Sequence, residues 1–477
     1  MRTELVPDPG LCFVKIQSIT VMTFLGIDIG TTSVCGGVFN SENRKFETVT
    51  LKNNAHVSSS HAWEKIQDPD KLMALVSDII STFSVRYPGF GGIGITGQMH
   101  GILYTDDQGN ALSPLYTWED TRGYLPVQEG LSYAGFLSDV TGYKASSGFG
   151  LVTHFYNLKN RLVPEKAYRI CTIMDYVVMK LSGRKHPLID PTNAASLGFF
   201  DSARLGFDRD ALRKADIDAE ILPEIKPSGT LAGFFQGSIP IYSAIGDNQA
   251  SFLGSVGQME NSVLINIGTG SQISVYTPEF VKSEFIDTRP FPGGGYLLVG
   301  AALYGGKSLV LLKSFFEQTI ELFAPECSRE IDFFGVLNSL NRSVLHVDEC
   351  LRVDPVFKGS RRDPARKGTI SQVSPVNFTP EFLMAGFLKG ISMELVDFFR
   401  EMPGATNREF KYLIGSGNAI RMNPILRDVV ETAFNMKLLI PAHAEEAAFG
   451  ACLCAMVGRQ HVANFRDAGS LVDYEVP

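Results

Sequence analysis

The chain has 477 residues, 44% of them hydrophobic and 20% charged, and a net charge of −8. That length exceeds what one hydrophobic core supports and predicts two domains of roughly 200–250 residues. The composition excludes general disorder, and the negative charge opposes a nucleic acid as partner. The seven cysteines, at 12, 35, 171, 327, 350, 452 and 454, lack the spacing of a disulfide framework or metal site. They predict a reducing, cytoplasmic setting, with Cys452 and Cys454 as core of an Ala-rich helix. No apolar run reaches the roughly 18 residues of a membrane span, so no membrane partner is expected.

Residues 1–22 read as an N-terminal extension, because Lys15 and Gln17 interrupt any signal-like apolar block. Leu25-Gly-Ile-Asp-Ile-Gly-Thr-Thr-Ser33 then predicts a strand, a tight turn and a second strand. Glycine and small hydroxyl residues let the backbone N–H groups of such a turn approach an anion. Asp28, at the end of the first strand, would face bound phosphates, a conflict that a bridging Mg2+ removes; the alternative is a residue that stabilises the turn. Apolar residues from Leu72 to Phe83 recur at helical spacing after Asp68-Pro69. Gly92–Thr96 follows as a strand, so Gly92-Ile-Gly-Ile-Thr-Gly97, a literal GxGxxG, is not a dinucleotide-binding turn: its isoleucines are the strand itself.

Thr96-Gly-Gln-Met-His-Gly101 gathers an amide, a thioether and an imidazole after that strand, a mixture suited to a polyol; a histidine in such a loop is otherwise structural. Trp118-Glu-Asp-Thr-Arg122 offers an aromatic face for a sugar, or else a surface ion pair beside a buried tryptophan. Ala244-Ile-Gly-Asp-Asn-Gln-Ala250 sets Asp247 after an apolar strand. A carboxylate there can accept the hydroxyl proton in phosphoryl transfer, or simply cap a helix.

A boundary is expected at residues 254–260, dividing the chain into 23–255 and 256–477. The second part opens with Leu264-Ile-Asn-Ile-Gly-Thr-Gly-Ser271, a near-repeat of the first hairpin. Two such turns, Gly268-Thr269-Gly270 being the second, predict a duplicated α/β architecture gripping one nucleotide across a cleft. Gly305-Gly-Lys-Ser308 is no P-loop, because Ala301 stands where its first glycine belongs. Lys358, Arg361, Arg362, Arg366 and Lys367 read as a solvated loop or a lid over phosphates. Apolar spacing from Phe382 to Phe398 predicts a long helix, Tyr412–Ile414 a buried strand, and Ala447–Val457 a closing helix. Gly415-Ser-Gly-Asn418 lies between strand and helix, where an adenine or ribose can approach the backbone.

Together these motifs resemble the FGGY family of carbohydrate kinases over nearly all of Phe24 to Val457. The resemblance rests on Gly97–Gly101, Thr117–Arg122, Ser147–Gly150, Met174–Val178, Asn193–Asp201, Leu222–Ile225 and Gly246–Gln249. It implies an α/β fold of two ribonuclease-H-like domains, of the actin and hexokinase type, around a central ATP cleft. It also implies Asp247 as base, Asp28 at the Mg2+, and Gln98, Met99, His100, Asn248, Asp120, Asp175 and Asn193 at the sugar. On the ATP side it implicates Thr31, Thr32, Gly268, Thr269, Gly306, Gly415, Gly417 and Asn423. The first half is most similar to the sedoheptulose-phosphorylating members, which makes a ketose the expected partner, sedoheptulose before xylulose, for a monomer or homodimer. One departure is Gly359-Ser360-Arg361, where many members have Gly-Glu-Arg. Competing readings are an actin-like ATPase without sugar transfer and an inactive sugar-binding protein.

Overall fold

The computed structural model describes residues 22–87, 89–327, 332–347, 350–359, 363, 365–404 and 408–475. Ser360, Arg361 and Arg362, and the extension 1–21, lie outside them. In the first half, β1 (Thr23–Ile29), β2 (Ser33–Asn40) and β3 (Phe46–Lys52) form an antiparallel meander, and β4 (Gly92–Gly97) joins β1 in parallel. Next come β5 (Leu231–Phe235), β6 (Ile239–Tyr242) and the short β7 (Ile245–Gly246). The strand order is β5-β6-β4-β1-β2-β3, with β7 also on β4. Helix α1 (Pro69–Arg86) starts where Asp68 accepts from the N–H groups of Asp70 and Lys71. Its Leu72, Val76, Ile79 and Phe83 are fully buried.

The second half repeats the plan with β8 (Ser262–Ile267), β9 (Ser271–Thr277), β10 (Asp287–Pro290), β11 (Tyr296–Ala302), β12 (Tyr412–Ser416) and β13 (Leu438–Leu439). Their order is β10-β11-β9-β8-β12-β13. Each sheet thus has a three-stranded antiparallel meander whose first strand is joined by a parallel neighbour, β4 on β1 and β12 on β8, while β10 extends the second meander and β5 ends the first sheet antiparallel to β6. This is the actin-like arrangement of two ribonuclease-H-like domains. The expected hairpins, both long helices and the three further strands and helices all form where the sequence puts them.

Between β4 and β5 the first half carries an insertion with its own core, built around Leu137, Phe155, Leu197 and Leu212. It includes α2 (Gly150–Lys159), α3 (Ile173–Ser182) and α4 (Pro191–Leu197). Past the two sheets lie α5 (Asp247–Ser255), α6 (Lys307–Phe323), α7 (Pro380–Glu401), α8 (Asn418–Met422), α9 (Pro424–Phe434) and α10 (Glu446–Gly458).

The last helix crosses back. α10 packs on β1 and β4 of the first sheet and on α5, closely enough that a Cβ on Gly26 would stand 1.9 Å from the Ala448 carbonyl, and one on Gly94 1.9 Å from that of Ala451. The glycines of the discounted GxGxxG are therefore packing residues. A shared core of Phe24, Phe39, Phe252, Leu264, Leu297, Ile414, Phe449 and Leu453 joins the two sheets through α5 and α10. Cys452 and Cys454 are buried within it.

Candidate active site

In open α/β sheets, functional groups gather beyond the carboxyl ends of parallel strands. Here β1, β4 and β7 end side by side: Asp28 pairs with Thr96, and Ile245 pairs with Thr96 from the other side. Thr96 locks this junction by donating to the Ile245 carbonyl (2.7 Å). Asp28 closes β1, and Asp247 is the first residue of α5. The Asn248 N–H donates to the Asp247 carboxylate (2.6 Å). The Gly246 N–H donates to the Thr192 hydroxyl (2.8 Å), which in turn donates to Asp190 (2.7 Å). Sequence reading did not single out this support from α4; its signal was the capping run Asp190-Pro-Thr.

Both residues are half-buried. Burial, then the charges of Asp247 and Glu445, raises Asp28 to about 7. Burial raises Asp247 to about 6, against the opposing pull of the Asn248 N–H and the Arg289 guanidinium. The arrangement is a pair of mutually repelling carboxylates, poised between charge states near neutrality, which a cation would relax. Glu445, next to the start of α10, is a third carboxylate that sequence reading missed. Among the described residues no group of three or more ligating side chains forms a protein-only metal cage. One carboxylate plus phosphate and water oxygens is the donor set Mg2+ usually takes, so Asp28 fits that ion.

The expected sugar contacts divide. Met99 packs over the turn that carries Asp247, such that a Cβ on Gly246 would lie 2.6 Å from its Cε. His100 adopts a left-handed backbone (φ 74°), stacks on Phe149 at 4.8 Å and engages the Ser196 carbonyl through Nδ1 (2.8 Å). Asn193 is fully buried, its Nδ2 toward the Ala244 carbonyl (3.4 Å) and its Oδ1 without a partner among the described residues. Asn248 is half-buried beside Asp247.

Three others are occupied elsewhere. Gln98 is buried, donates to Gln67 (2.9 Å) and accepts from Thr31 (3.5 Å), so it braces the turn. Asp120 is fully buried and takes both Arg122 (2.8 Å) and the Lys65 N–H (3.1 Å). That ion pair is internal and Trp118 is 48% exposed, the reverse of a surface pair beside a buried tryptophan. Asp175 closes a capping box with Thr172 at the start of α3. Burial raises its carboxyl well above the ordinary range. Asp120 is therefore a framework residue, its two oxygens taken by Arg122 and the Lys65 N–H, whereas Asp175 gives Oδ2 to Thr172 and keeps Oδ1 without a partner among the described residues.

On the second sheet, Gly268-Thr269-Gly270 turns at the end of β8 beneath a cavity of about 240 Å3. The Gly306 N–H donates to the Gly268 carbonyl (3.0 Å), and the Lys307 N–H to that of Thr269 (3.1 Å). A Cβ on Gly306 would come within 2.1 Å of the Gly268 carbonyl, so glycine is required for α6 to start against the turn. Gly417 has φ 88° and sits against the Ile267 carbonyl. Asn423 is buried, with Oδ1 unpartnered among the described residues. Thr269 and Thr32 are exposed. Two expectations change: Gly415 lies inside β12 against Leu438 and Ile440, and the Thr31 hydroxyl is held by the Trp118 indole (2.9 Å) and Gln98, on the Asp247 side of the molecule. In the described part of the basic run, Arg366 pairs with Asp354. A larger cavity of about 850 Å3, along residues 350–356 and the end of α7, contains none of the expected site residues.

A duplicated sheet with carboxylates at one set of strand ends and a glycine turn at the other defines a two-domain actin-like α/β protein. Comparison with known proteins narrows that class. Residues 23–254 match the FGGY family of carbohydrate kinases, N-terminal domain. A sedoheptulokinase of Mus musculus is 28% identical, over 90% of this chain and 96% of that protein. A xylulose kinase of Lactococcus lactis is 27% identical, over 92% and 88%. Among solved structures, a xylulose kinase from Rhodospirillum rubrum superposes with a TM-score of 0.79 at 19% identity, covering 95% of this chain and 93% of that one. A Plasmodium falciparum glycerol kinase with ADP gives 0.78 at 18% identity, covering 94% and 92%; at such identities the likeness shows the fold alone. Residues 23–254 thus carry the N-terminal domain of the FGGY family of carbohydrate kinases, and the chain is an ATP-dependent sugar kinase.

Proposed function

We propose that this kinase transfers the γ-phosphoryl group of ATP to the terminal hydroxyl of a ketose, sedoheptulose first and xylulose as the alternative. The observation that carries the reading is Asp247, a half-buried residue at the start of α5 whose carboxyl is raised by burial to about 6. A base with that value is ionised at neutral pH yet strong enough to take a proton as the sugar oxygen attacks. The O–H proton passes to Asp247, the sugar oxygen bonds to the γ-phosphorus, and the bond to the β–γ bridging oxygen breaks, releasing ADP. Met99, His100, Asn193 and Asn248 line the sugar side. Gly268, Thr269, Gly306, Gly417 and Asn423 serve the nucleotide. Asp28 would hold Mg2+, which neutralises charge on the triphosphate.

Residues 23–255 and 256–477 are proposed as the sugar and nucleotide lobes of a monomer or homodimer working in the cytoplasm. No helix among the described residues is long and apolar enough to cross a membrane. The sugar assignment draws on the sedoheptulokinases of mouse and human, which precede xylulose and glycerol kinases in similarity. ADP release measured over a panel of ketoses and polyols, with and without Mg2+, tests it. Preference for a seven-carbon ketose supports the assignment; preference for xylulose or glycerol replaces it. An actin-like ATPase would release ADP at a rate indifferent to every sugar.

A further inference from the structure

Arg289 is one of the side chains that join the two halves next to the candidate base. It lies on β10 of the second sheet, and its Nη1 donates to Oδ1 of Asn248 (3.2 Å), the second residue of α5. Its Nη2 donates to Asp287 on the same strand (3.0 Å). One residue along each segment, Gln249 donates to the Pro290 carbonyl (3.0 Å). The first turn of α5 is thus tied to β10 at two successive positions. The guanidinium is one-fifth exposed.

These contacts have two consequences. A side-chain amide has one acceptor end and one donor end; with Oδ1 given to Arg289, Asn248 keeps its Nδ2 amino group, which has no hydrogen bond among the described residues. The cation also stands one residue from Asp247 and favours its ionised form, opposing the burial that disfavours it. We propose that Arg289 is a positioning residue of this kinase, reaching across the halves to aim the Asn248 amide at the sugar and to hold a positive charge beside Asp247. The inference rests on the sugar-kinase reading with Asp247 as base.

The test compares R289M, R289K, N248A and the R289M/N248A double variant with the wild-type enzyme, using the preferred sugar from the panel. In R289M, the sugar KM should rise by about tenfold, and the acid limb of the kcat profile should move up by about one pH unit. R289K keeps the charge but lacks the two-armed fork, so KM should rise while the limb stays. N248A should raise KM without moving the limb, and the double variant should have a KM no higher than N248A alone. A wild-type KM and limb in R289M, or an equal loss of kcat in R289K and R289M with no limb shift, overturns the inference while leaving the kinase reading intact. A wild-type enzyme that turns over no sugar would sink both.

Discussion

The two hairpins are near-copies in sequence and opposites in chemistry. Asp28 on β1 pairs with Thr96, and its counterpart Asn266 on β8 pairs with Ser416; each following strand then turns at a glycine, Gly97 and Gly417. In the first half the acid is a crowded carboxyl raised to about 7. In the second the neutral amide donates to the Ser416 hydroxyl (2.9 Å). The first turn is filled: Thr31 is held by Trp118 and Gln98, and the Thr31 carbonyl receives Asn53 (3.1 Å) and Gln67 (3.2 Å). The second is open beneath its cavity and backed by the start of α6. A duplicated scaffold thus keeps its backbone while one copy collects negative charge and the other stays neutral, a division that the proposed proton and metal chemistry on one side and anion binding on the other would use.

The sharpest break of that contrast is at the carboxylate with no counterpart in the hairpins. Asp247→Ala should lower phosphoryl transfer by about 10²-fold or more, and in the wild type kcat should fall as pH drops through about 6, where Asp247 takes up its proton. Steady-state ADP release across pH 5–8 (about three units) measures both; an unchanged rate in the variant removes Asp247 from the mechanism. Next comes the joint between the copies. A Cβ on Gly450 of α10 would stand 1.9 Å from the Ala250 carbonyl of α5, so Gly450→Ala should lower Tm by about 5 °C or more. Unchanged melting would mean that the two helices can separate freely.

Exchanging the hairpin residues sharpens the comparison further. Asn266→Asp should raise the KM for ATP about tenfold by placing a like charge under the phosphates. Asp28→Asn should flatten the Mg2+ dependence of the rate. It should also stabilise the metal-free protein above pH 7. The native carboxyl is raised from 3.8 to about 7, so the folded state holds the proton more tightly and loses stability as pH climbs between those values. Melting curves at pH 5 and pH 8 in chelator (each about one unit above one of those bounds) check the sign: the gain is larger at pH 8. The smallest effect is expected at Thr31→Val, about three- to fivefold in sugar KM. An equal change in the KM for ATP would return that hydroxyl to the nucleotide side.

The fold was legible because its signals are local. Alternating aliphatics around two glycine turns announce the hairpins, and the spacing from Leu72 to Phe83 and Phe382 to Phe398 announces the helices without any distant contact. The placement of Asp28 near the end of β1 and of Asp247 just after β7 was legible for the same reason, since a carboxylate at the end of a buried strand is a local pattern. What Gln98, Asp120 and Asp175 do was not, because a polar side chain's task depends on which partner reaches it first. Gln67, 31 residues away, takes the Gln98 amide, the Lys65 N–H joins Arg122 on Asp120, and Thr172 holds only one oxygen of Asp175.

By itself, then, the order of residues determined a doubled α/β chain with a carboxylate after each of two strands and a glycine turn in each half. Only the tertiary structure decided that the last helix returns to the first sheet, that Thr31 faces Trp118, and that Arg289 and Glu445 arrive beside the paired acids. Hydrogen bonds and charges act over a few ångströms of space, whereas Arg289 and Glu445 lie 41 and 417 residues from Asn248 and Asp28 along the chain. No periodicity encodes such a meeting; the packing of β10 and α10 creates it.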